Sequence, residues 1–262
     1  MDLPQELIEE ILSHLPSDDR KSLRAFSSYS LISKSWLDPS RRILFADLSI
    51  ELVTCNRFLT TISPTNTGLL RHVRSLSYCA SGEEDQRLHQ LGIHLFQFQD
   101  HLSSMCQLRA LAFSQMILDW TLPGRMGMFS AFQYALSSLQ LVRVSIAWSA
   151  FASLVGYFPN LRNLLVSHTS FYMDDQPVPR PSHALRGKLS LWVGHPHVQE
   201  AGFLVGHFLE LKPEYEEVAL SGTLENQCRF LPAFQRTLKH LSVHWYEPTL
   251  LRCSLSYPWL QC

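Results

Sequence analysis

The chain has 262 residues, of which 46% are hydrophobic, and its formal net charge at pH 7 is −1. This length suits one or two globular domains, and the near-zero charge gives no electrostatic reason to expect a nucleic acid or a membrane as a partner. The chain opens on an acidic amphipathic segment and contains no apolar run that approaches the length of a membrane span. We therefore expect an intracellular protein that is cytoplasmic, nuclear or both.

The first predicted element is an amphipathic helix over residues 4–15. Pro4 suits a first helical position, because the backbone N–H that proline lacks has no partner there. Apolar residues then recur at spacings of three and four, which is typical of one face of a helix. These residues are Leu7, Ile8, Ile11, Leu12 and Leu15.

Two more helices are predicted before residue 46. Ser17 is suited to cap the second helix, whose apolar stripe runs from Leu23 to Trp36 at helical spacing. Asp38 and Pro39 indicate the cap and the first residue of a third helix. Three short helices lie near the lower size limit for a self-sufficient core, so their surplus apolar residues predict a partner surface or a neighbouring domain. The alternative is that they only cap the domain behind them.

This segment resembles the F-box, a three-helix docking motif. The matching residues are Leu3, Pro4, Glu6, Ile8, Ile11, Leu12, Leu15, Asp18, Asp19, Ser33, Lys34 and Trp36. Residues 39–42, Leu44 and Phe45 extend the match to a variant abundant in mushroom-forming fungi, although the stretch that ends at Trp36 is about three residues longer here, close to one helical turn.

The resemblance implies that residues 1–45 dock onto the adaptor subunit of an SCF-type E3 ubiquitin ligase and, through it, onto cullin. The residues that it assigns to adaptor binding are Leu3, Pro4, Ile8, Ile11, Leu15 and Trp36.

Residues 46–262, together with Phe45, carry a weak internal repeat in the pattern apolar-x-x-apolar-x-apolar. Its copies are Phe45/Leu48/Ile50, Val73/Leu76/Tyr78, Leu108/Leu111/Phe113, Leu141/Val144/Ile146, Leu161/Leu164/Val166, Tyr215/Val218/Leu220 and Leu238/Leu241/Val243, with a partial copy at Leu189/Leu191. The central residues are 28, 35, 33, 20, 25, 29 and 23 positions apart, mostly within or near the range of leucine-rich repeats. Helical patterns at 88–105, 129–139, 151–161 and 198–211 separate the copies and predict parallel strands joined by crossovers.

We therefore expect an α/β fold, with the three-helix F-box followed by an irregular leucine-rich-repeat-like solenoid of parallel strands and helices. A compact doubly wound α/β domain is the alternative, because the repeats lack the Asn or Cys that is typical of leucine-rich repeats. No glycine-rich turn follows the first strand, as a nucleotide-binding domain of that kind requires. The central row of side chains that faces away from the core also consists mostly of small residues, whereas a sheet covered by helices on both faces would need large apolar residues there. Its members are Ser49, Ser77, Ala112, Ser145, Leu165, Ser190, Ala219 and Ser242.

The sequence offers little chemistry. It lacks the phosphate-binding pattern G-x-x-x-x-G-K, the hydrolase pattern G-x-S-x-G and the zinc-protease pattern H-E-x-x-H. His195 and His197 come nearest to a metal pair, but zinc normally needs three or four convergent ligands. We predict no catalytic residue, no metal and no cofactor. The six cysteines form no C-x-x-C and are expected to be free thiols, and three prolines predict a surface loop over residues 171–186.

The resemblance implies a substrate-recognition subunit that catalyses nothing itself and holds a target protein near the ligase. Polar and aromatic residues beside the small row would frame a shallow trough for that target. These residues are Arg143, Asn163, Lys188, Trp192, His240 and His244. One alternative is an F-box-bearing scaffold without a role in ubiquitination, and concave crowding alone would also explain the small row. An enzyme is disfavoured, since fold similarity cannot supply a missing active site.

Overall fold

The computed structural model describes residues 3–14, 27–29, 31–51, 64–80, 99–118, 125–174, 176–178, 183–193, 208, 211, 213–222, 231–234 and 236–245. It is a mixed α/β structure built on one large parallel sheet. The strands are β1 Asp47–Glu51, β2 Ser75–Cys79, β3 Ala110–Leu118, β4 Ser138–Ala147, β5 Asn163–Ser167, β6 Ser170–Tyr172, β7 Leu185–Val193, β8 Pro213–Gly222 and β9 His240–Trp245.

The strands lie side by side in chain order. The path through the sheet is β1-β2-β3-β4-β5-β7-β8-β9, and the short β6 pairs with β4 beyond the end of β5. Each described pair is parallel. A doubly wound sheet reverses its strand order at a switch point, and the described strands contain no such reversal. Because parallel crossovers are almost always right-handed, an unreversed order directs all of them to one face of the sheet.

In the described part of the chain, helical segments lie between successive strands from β1 to β5 and between β8 and β9. The α-helices are α1 Gln5–Ser13, α2 Lys34–Leu44, α3 Gln99–Leu102 and α4 Trp148–Tyr157, and 3-10 helices cover Pro64–His72, Arg125–Phe132 and Leu231–Phe234. The helix predicted over 151–161 corresponds to α4. The helix predicted over 129–139 ends earlier than expected, because Leu139 belongs to β4. Most of the segments at 88–105 and 198–211 lie outside the described residues.

The main core lies on one face of the sheet. Alternate strand residues are buried there: Ile50, Leu76, Tyr78, Leu111, Phe113, Leu139, Leu141, Leu164, Val166, Leu189, Leu191, Val218 and Leu220. The helix α4 packs on this core through Trp148 and Phe151, which are both fully buried; the ring centroid of Trp148 lies 5.6 Å from that of Phe208. The ring centroid of Phe171 in β6 lies 5.0 Å from that of Phe151. Phe171 therefore packs against the core, although the sequence analysis placed this residue in a surface loop.

The amino-terminal helices have a small core of their own. Ile8 and Leu12 of α1 are buried against Tyr29, Trp36, Ile43 and Leu44. This cluster is separate from the main core in the described part of the chain.

Two expectations about the amino-terminal helices are corrected. Pro4 is the N-cap of α1, not its first residue, and its carbonyl accepts the first helical hydrogen bonds. The prediction of a third helix that starts at Pro39 was wrong, because α2 begins at Lys34 after the extended N-cap Ser33 and Pro39 lies buried inside it. Packing of Trp36 against the small core holds this turn in the helix, so burial outweighs the helix-breaking tendency of proline.

The repeat predicted at β4 was five residues out of register. Leu111 of β3 pairs with Leu139, and Leu139 pairs with Leu164, so the copy is Leu136/Leu139/Leu141 and the spacings are 28 and 25. The cause is a residue in the left-handed region, Arg143, which shifts the alternation and creates a second apolar-x-x-apolar-x-apolar run further along the strand.

The partial repeat on β7 also has a structural cause. Leu185 is buried four residues before Leu189, where the other copies have an anchor three residues before. Gly187 between them has φ 98°, and the register with β8 shifts between Gly187 and Lys188. A Cβ at Gly187 would collide with the carbonyl of Arg162, so glycine is required for this close approach.

Candidate functional site

An exposed apolar stripe runs along α1. Leu3, Leu7 and Ile11 follow at intervals of four residues and are 43%, 50% and 45% exposed, although Ile8 and Leu12 on the same helix are buried. We call these three residues the amino-terminal stripe. Two more large aliphatic residues, Leu31 and Ile32, are exposed just before α2. Exposed aliphatic groups on so small a helical unit mark a candidate interaction surface.

The residues predicted to bind an adaptor fall into two groups. Leu3, Pro4 and Ile11 are exposed. Ile8 is completely buried, and Trp36 is half-buried with its ring centroid 5.8 Å from that of Tyr29. Leu15 lies outside the described residues.

Sequence reasoning missed Leu7, Leu31 and Ile32 as surface residues. The sequence contains a signal for the exposed stripe, because Leu3, Leu7 and Ile11 follow at intervals of four residues and so share one line along the helix. Ile8 and Leu12 form a second line, one position further on.

A charge network joins the amino-terminal helices to the sheet region. Arg42 of α2 contacts Glu9 of α1 at 3.2 Å and Asp38 at 2.9 Å. Asp38 in turn contacts Arg71 at 3.0 Å, and Arg71 lies in the 3-10 helix that precedes β2. Three elements are therefore joined through two carboxylates and two guanidinium groups.

Two groups in this network have shifted pKa values. Burial would raise the pKa of Asp38, but hydrogen bonds from Arg71 and Arg42 and the positive charges around it outweigh burial and lower it below 3.8. Burial lowers the pKa of His72 below 6.5 and outweighs the opposing effect of Asp38; the nearby arginines lower it further. The Nε2 atom of His72 accepts a hydrogen bond from Arg71 Nε at 3.3 Å, as a neutral imidazole can.

The sheet face opposite the core is open across all eight strands of the main path. Three rows of side chains cross it, and the pairing register defines each row. The first is Asp47, Ser75, Ala110, Ser138, Asn163, Lys188, Glu217 and His240. The second is Ser49, Ser77, Ala112, Gln140, Leu165, Ser190, Ala219 and Ser242. The third is Glu51, Cys79, Ser114, Val142, Ser167, Trp192, Ser221 and His244. Each member of these rows is at least partly exposed.

The register places most of the predicted target-binding residues as expected. Asn163, Lys188 and His240 share the first row, and Trp192 and His244 share the third row with Ser221 between them. Two predictions are corrected, since Gln140 takes the place of Ser145 in the second row and Arg143 belongs to none of the three rows. The shift in alternation at Arg143 explains both corrections.

Arg143 lies instead beside the third row, in a group with Gln115 and His168 that we call the ledge. Gln115, Arg143 and His168 follow equivalent positions of β3, β4 and β5, and all three have positive φ of 57°, 54° and 53°. Their side chains are exposed. The imidazole of His168 stacks on the indole of Trp192 with ring centroids 3.2 Å apart. Burial lowers the pKa of His168, and the charge of Arg143 lowers it further, so this stack contains a neutral imidazole at pH 7.

The described residues contain no group of three or more metal-ligating side chains, and none of their helices is long and apolar enough to cross a membrane. His195 and His197 lie outside the described part of the chain. Cys79 and Cys106 are free thiols. Comparison with known proteins adds no assignment, because no protein-family model matches the chain and no curated protein matches it.

Proposed function

We propose that this protein is a substrate-recognition subunit of an SCF-type E3 ubiquitin ligase. In this proposal, residues 1–45 form an F-box that binds the ligase adaptor and, through it, cullin. Residues 46–262 form an irregular leucine-rich-repeat solenoid that presents a target protein, and the chain itself catalyses nothing. The unreversed order of parallel strands and the burial of one sheet face support the solenoid.

One observation carries the proposal: the amino-terminal stripe is exposed on a helical unit that also matches the F-box at Leu3, Pro4 and Ile11. Among its described residues, this unit buries two aliphatic side chains completely, those of Ile8 and Leu12, which is a small core. Covering the stripe with a partner would remove its apolar surface from water, which is the main favourable term in protein association.

Adaptor binding is tested by charge substitution in the stripe. Leu7→Glu combined with Ile11→Glu should abolish co-precipitation of the adaptor, and Leu3→Ala combined with Pro4→Ala should weaken it. Each buried anchor at an interface contributes about 2 kcal/mol or more, so the Glu pair should lower adaptor affinity by roughly a hundredfold or more. The measurement is co-precipitation from cells followed by titration with purified adaptor.

The matched control is Tyr134→Glu combined with Met173→Glu, because both residues are exposed apolar groups outside the amino-terminal helices. The control should recover the adaptor as the unchanged chain does. Undiminished adaptor binding by both the Glu pair and a chain that lacks residues 1–45 would refute the F-box assignment. Adaptor binding without ubiquitination of any captured protein would instead indicate a scaffold.

Target binding is proposed in the trough formed by Asn163, Lys188, Trp192, His240 and His244, with Arg143 on the adjoining ledge. Trp192→Ala combined with His244→Ala should abolish recovery of the target and leave adaptor binding unchanged. The two side chains occupy one row of the open face, and aromatic residues dominate binding energy at many interfaces. The measurement is quantitative mass spectrometry of proteins captured by each variant.

The control for this experiment is Ser49→Ala combined with Ser77→Ala on β1 and β2, at the end of the second row farthest from the trough. Thermal unfolding of the Trp192 variant should match that of the parent, since the indole is partly exposed. A large loss of stability would show that Trp192 belongs to the core, and unchanged target recovery in a folded variant would contradict the trough.

A further inference from the structure

Three arginines and one serine form a row along the end of the sheet where the strands begin. Arg74, Arg109, Ser137 and Arg162 each stand immediately before the first residue of β2, β3, β4 and β5. Backbone hydrogen bonds join them in this order: Arg109 N to Arg74 O at 2.7 Å, Ser137 N to Arg109 O at 2.9 Å and Arg162 N to Ser137 O at 2.9 Å. We call this set the strand-start row.

The three arginines of this row have no anionic partner within the described part of the chain. Each is exposed, and none forms an ion pair or a side-chain hydrogen bond there. The later strands differ, because Arg186 pairs with Glu214 at 2.9 Å, Lys239 with Glu216 at 3.1 Å and Lys188 with Glu217 at 3.7 Å. Asp47 at the start of β1 forms no ion pair with the row. Uncompensated positive charge is therefore concentrated on the first half of this end of the sheet.

This arrangement is unfavourable for the chain alone. Arg74 and Arg109 precede neighbouring strands about 4.8 Å apart, and like charges on adjacent strands destabilise a sheet. A ligand that brings carboxylates to the row would replace this repulsion with charge-assisted hydrogen bonds, for which the guanidinium fork is well suited.

The geometry also defines the form of the ligand. The row crosses β2 to β5, which is about 14 Å at ordinary strand spacing, and an extended peptide covers that distance with roughly five residues. The row contains no aromatic residue on which bases could stack, and the net charge of the chain is −1, so a single-stranded nucleic acid is the poorer fit.

We propose that the strand-start row binds an extended, carboxylate-rich segment of a protein, with Arg74, Arg109 and Arg162 as the contacts. This inference rests on the proposed function in that the segment belongs to the target presented by the repeat domain. It adds a recognition element outside the trough, since none of the three arginines lies in the three open-face rows.

The test uses the full chain and a fluorescent eight-residue peptide of alternating Glu and Asp, with binding measured by anisotropy at two salt concentrations. Arg74→Gln/Arg109→Gln/Arg162→Gln should weaken binding roughly tenfold, because exposed ion pairs contribute modestly and add across three sites. Binding by the unchanged chain should weaken as salt rises. The matched control is Lys34→Gln/Arg41→Gln/Arg236→Gln, which removes the same charge from exposed positions outside β2 to β5 and should bind the peptide as the parent does.

Four results would overturn the inference. They are equal binding of a Gln/Asn peptide, an equal loss in the control variant, tighter arginine-dependent binding of a phosphoserine peptide, and tighter arginine-dependent binding of a single-stranded oligonucleotide of the same length. Adaptor co-precipitation with the same variants separates the two proposals. If the peptide binds through the three arginines but the adaptor is not recovered, the assignment of the strand-start row stands and the ligase role is refuted. If the adaptor is recovered but peptide binding does not depend on the arginines, only the strand-start row is refuted.

Discussion

At the scale of single residues, the left-handed positions are the most informative. Gln115, Arg143 and His168 are neither glycine nor asparagine, yet all have φ between 53° and 57°. On β3, the buried residues are Leu111 and Phe113 before Gln115, at odd positions, and Met116 and Leu118 after it, at even positions. One residue in the left-handed region shifts the alternation, so that a second apolar pair reaches the same core. The cost of this backbone conformation is therefore offset by added burial.

The left-handed conformation of Arg143 predicts how the chain responds to substitution at this position. Arg143→Val should destabilise the chain by about 1–2 kcal/mol, because a β-branched residue is strongly disfavoured at positive φ. Arg143→Gly should be nearly neutral, because relief of strain offsets the added entropy of the unfolded chain, about 0.5–1 kcal/mol. The measurement is the urea midpoint of each variant.

Gln140→Val on the same strand is the control for this series. Gln140 is exposed and has ordinary backbone geometry, and valine favours strands, so its midpoint should shift by less than about 0.5 kcal/mol. Equal effects of valine at positions 140 and 143 would contradict the role assigned to positive φ.

At the scale of elements, the sequence predicted strands well where the apolar pattern occurs once. The copies at β2, β3 and β5 have the register that the spacing predicted, because Leu76, Leu111 and Leu164 are all central pairing residues. It failed on β4, where Leu136/Leu139/Leu141 and Leu141/Val144/Ile146 have identical spacing. An interval of three residues between apolar positions arises where a loop leads into a strand, and it also arises where one residue in the left-handed region shifts the alternation within a strand. The spacing of apolar residues is the same in both cases, so it cannot distinguish them.

The candidate site was less predictable than the fold. Helical periodicity placed Leu7, Ile8, Ile11 and Leu12 on one face of α1, but the structure divides them between a buried pair and an exposed stripe. That division depends on where α2 packs, and the position of Pro39 obscured the start of α2. The strand-start row was missed for a related reason, because its arginines are 35 and 53 residues apart in sequence and only pairing of the strands brings them into line.

At the scale of the whole molecule, two cores are joined by polar contacts. The small cluster around Ile8 and the main core share no member in the described residues, and the network around Asp38 spans the junction. Because this network contains a carboxylate and a buried imidazole with lowered pKa values, the junction should respond to acid.

The direction of that response follows from the protons bound in each state. The pKa of His72 lies below 6.5 in the folded chain, so the unfolded chain takes up a proton first as pH falls, and stability declines below about pH 6.5 with a slope of at most about 1.4 kcal/mol per pH unit. Asp38 adds a second loss only below its ordinary pKa of 3.8, because its folded pKa is also lowered. The decline between pH 6.5 and 5 should therefore depend on His72.

His72→Gln should flatten this decline, because glutamine keeps a polar group beside Arg71 and does not titrate. The measurement is the free energy of unfolding in urea at pH 7.5, 6.5, 5.5 and 5.0, for the parent, His72→Gln and the control His14→Gln, whose histidine is the exposed C-cap of α1. The control should keep the slope of the parent. If His72→Gln keeps it as well, burial of His72 does not set the acid response, and the junction between the two cores must be stabilised by groups other than this imidazole.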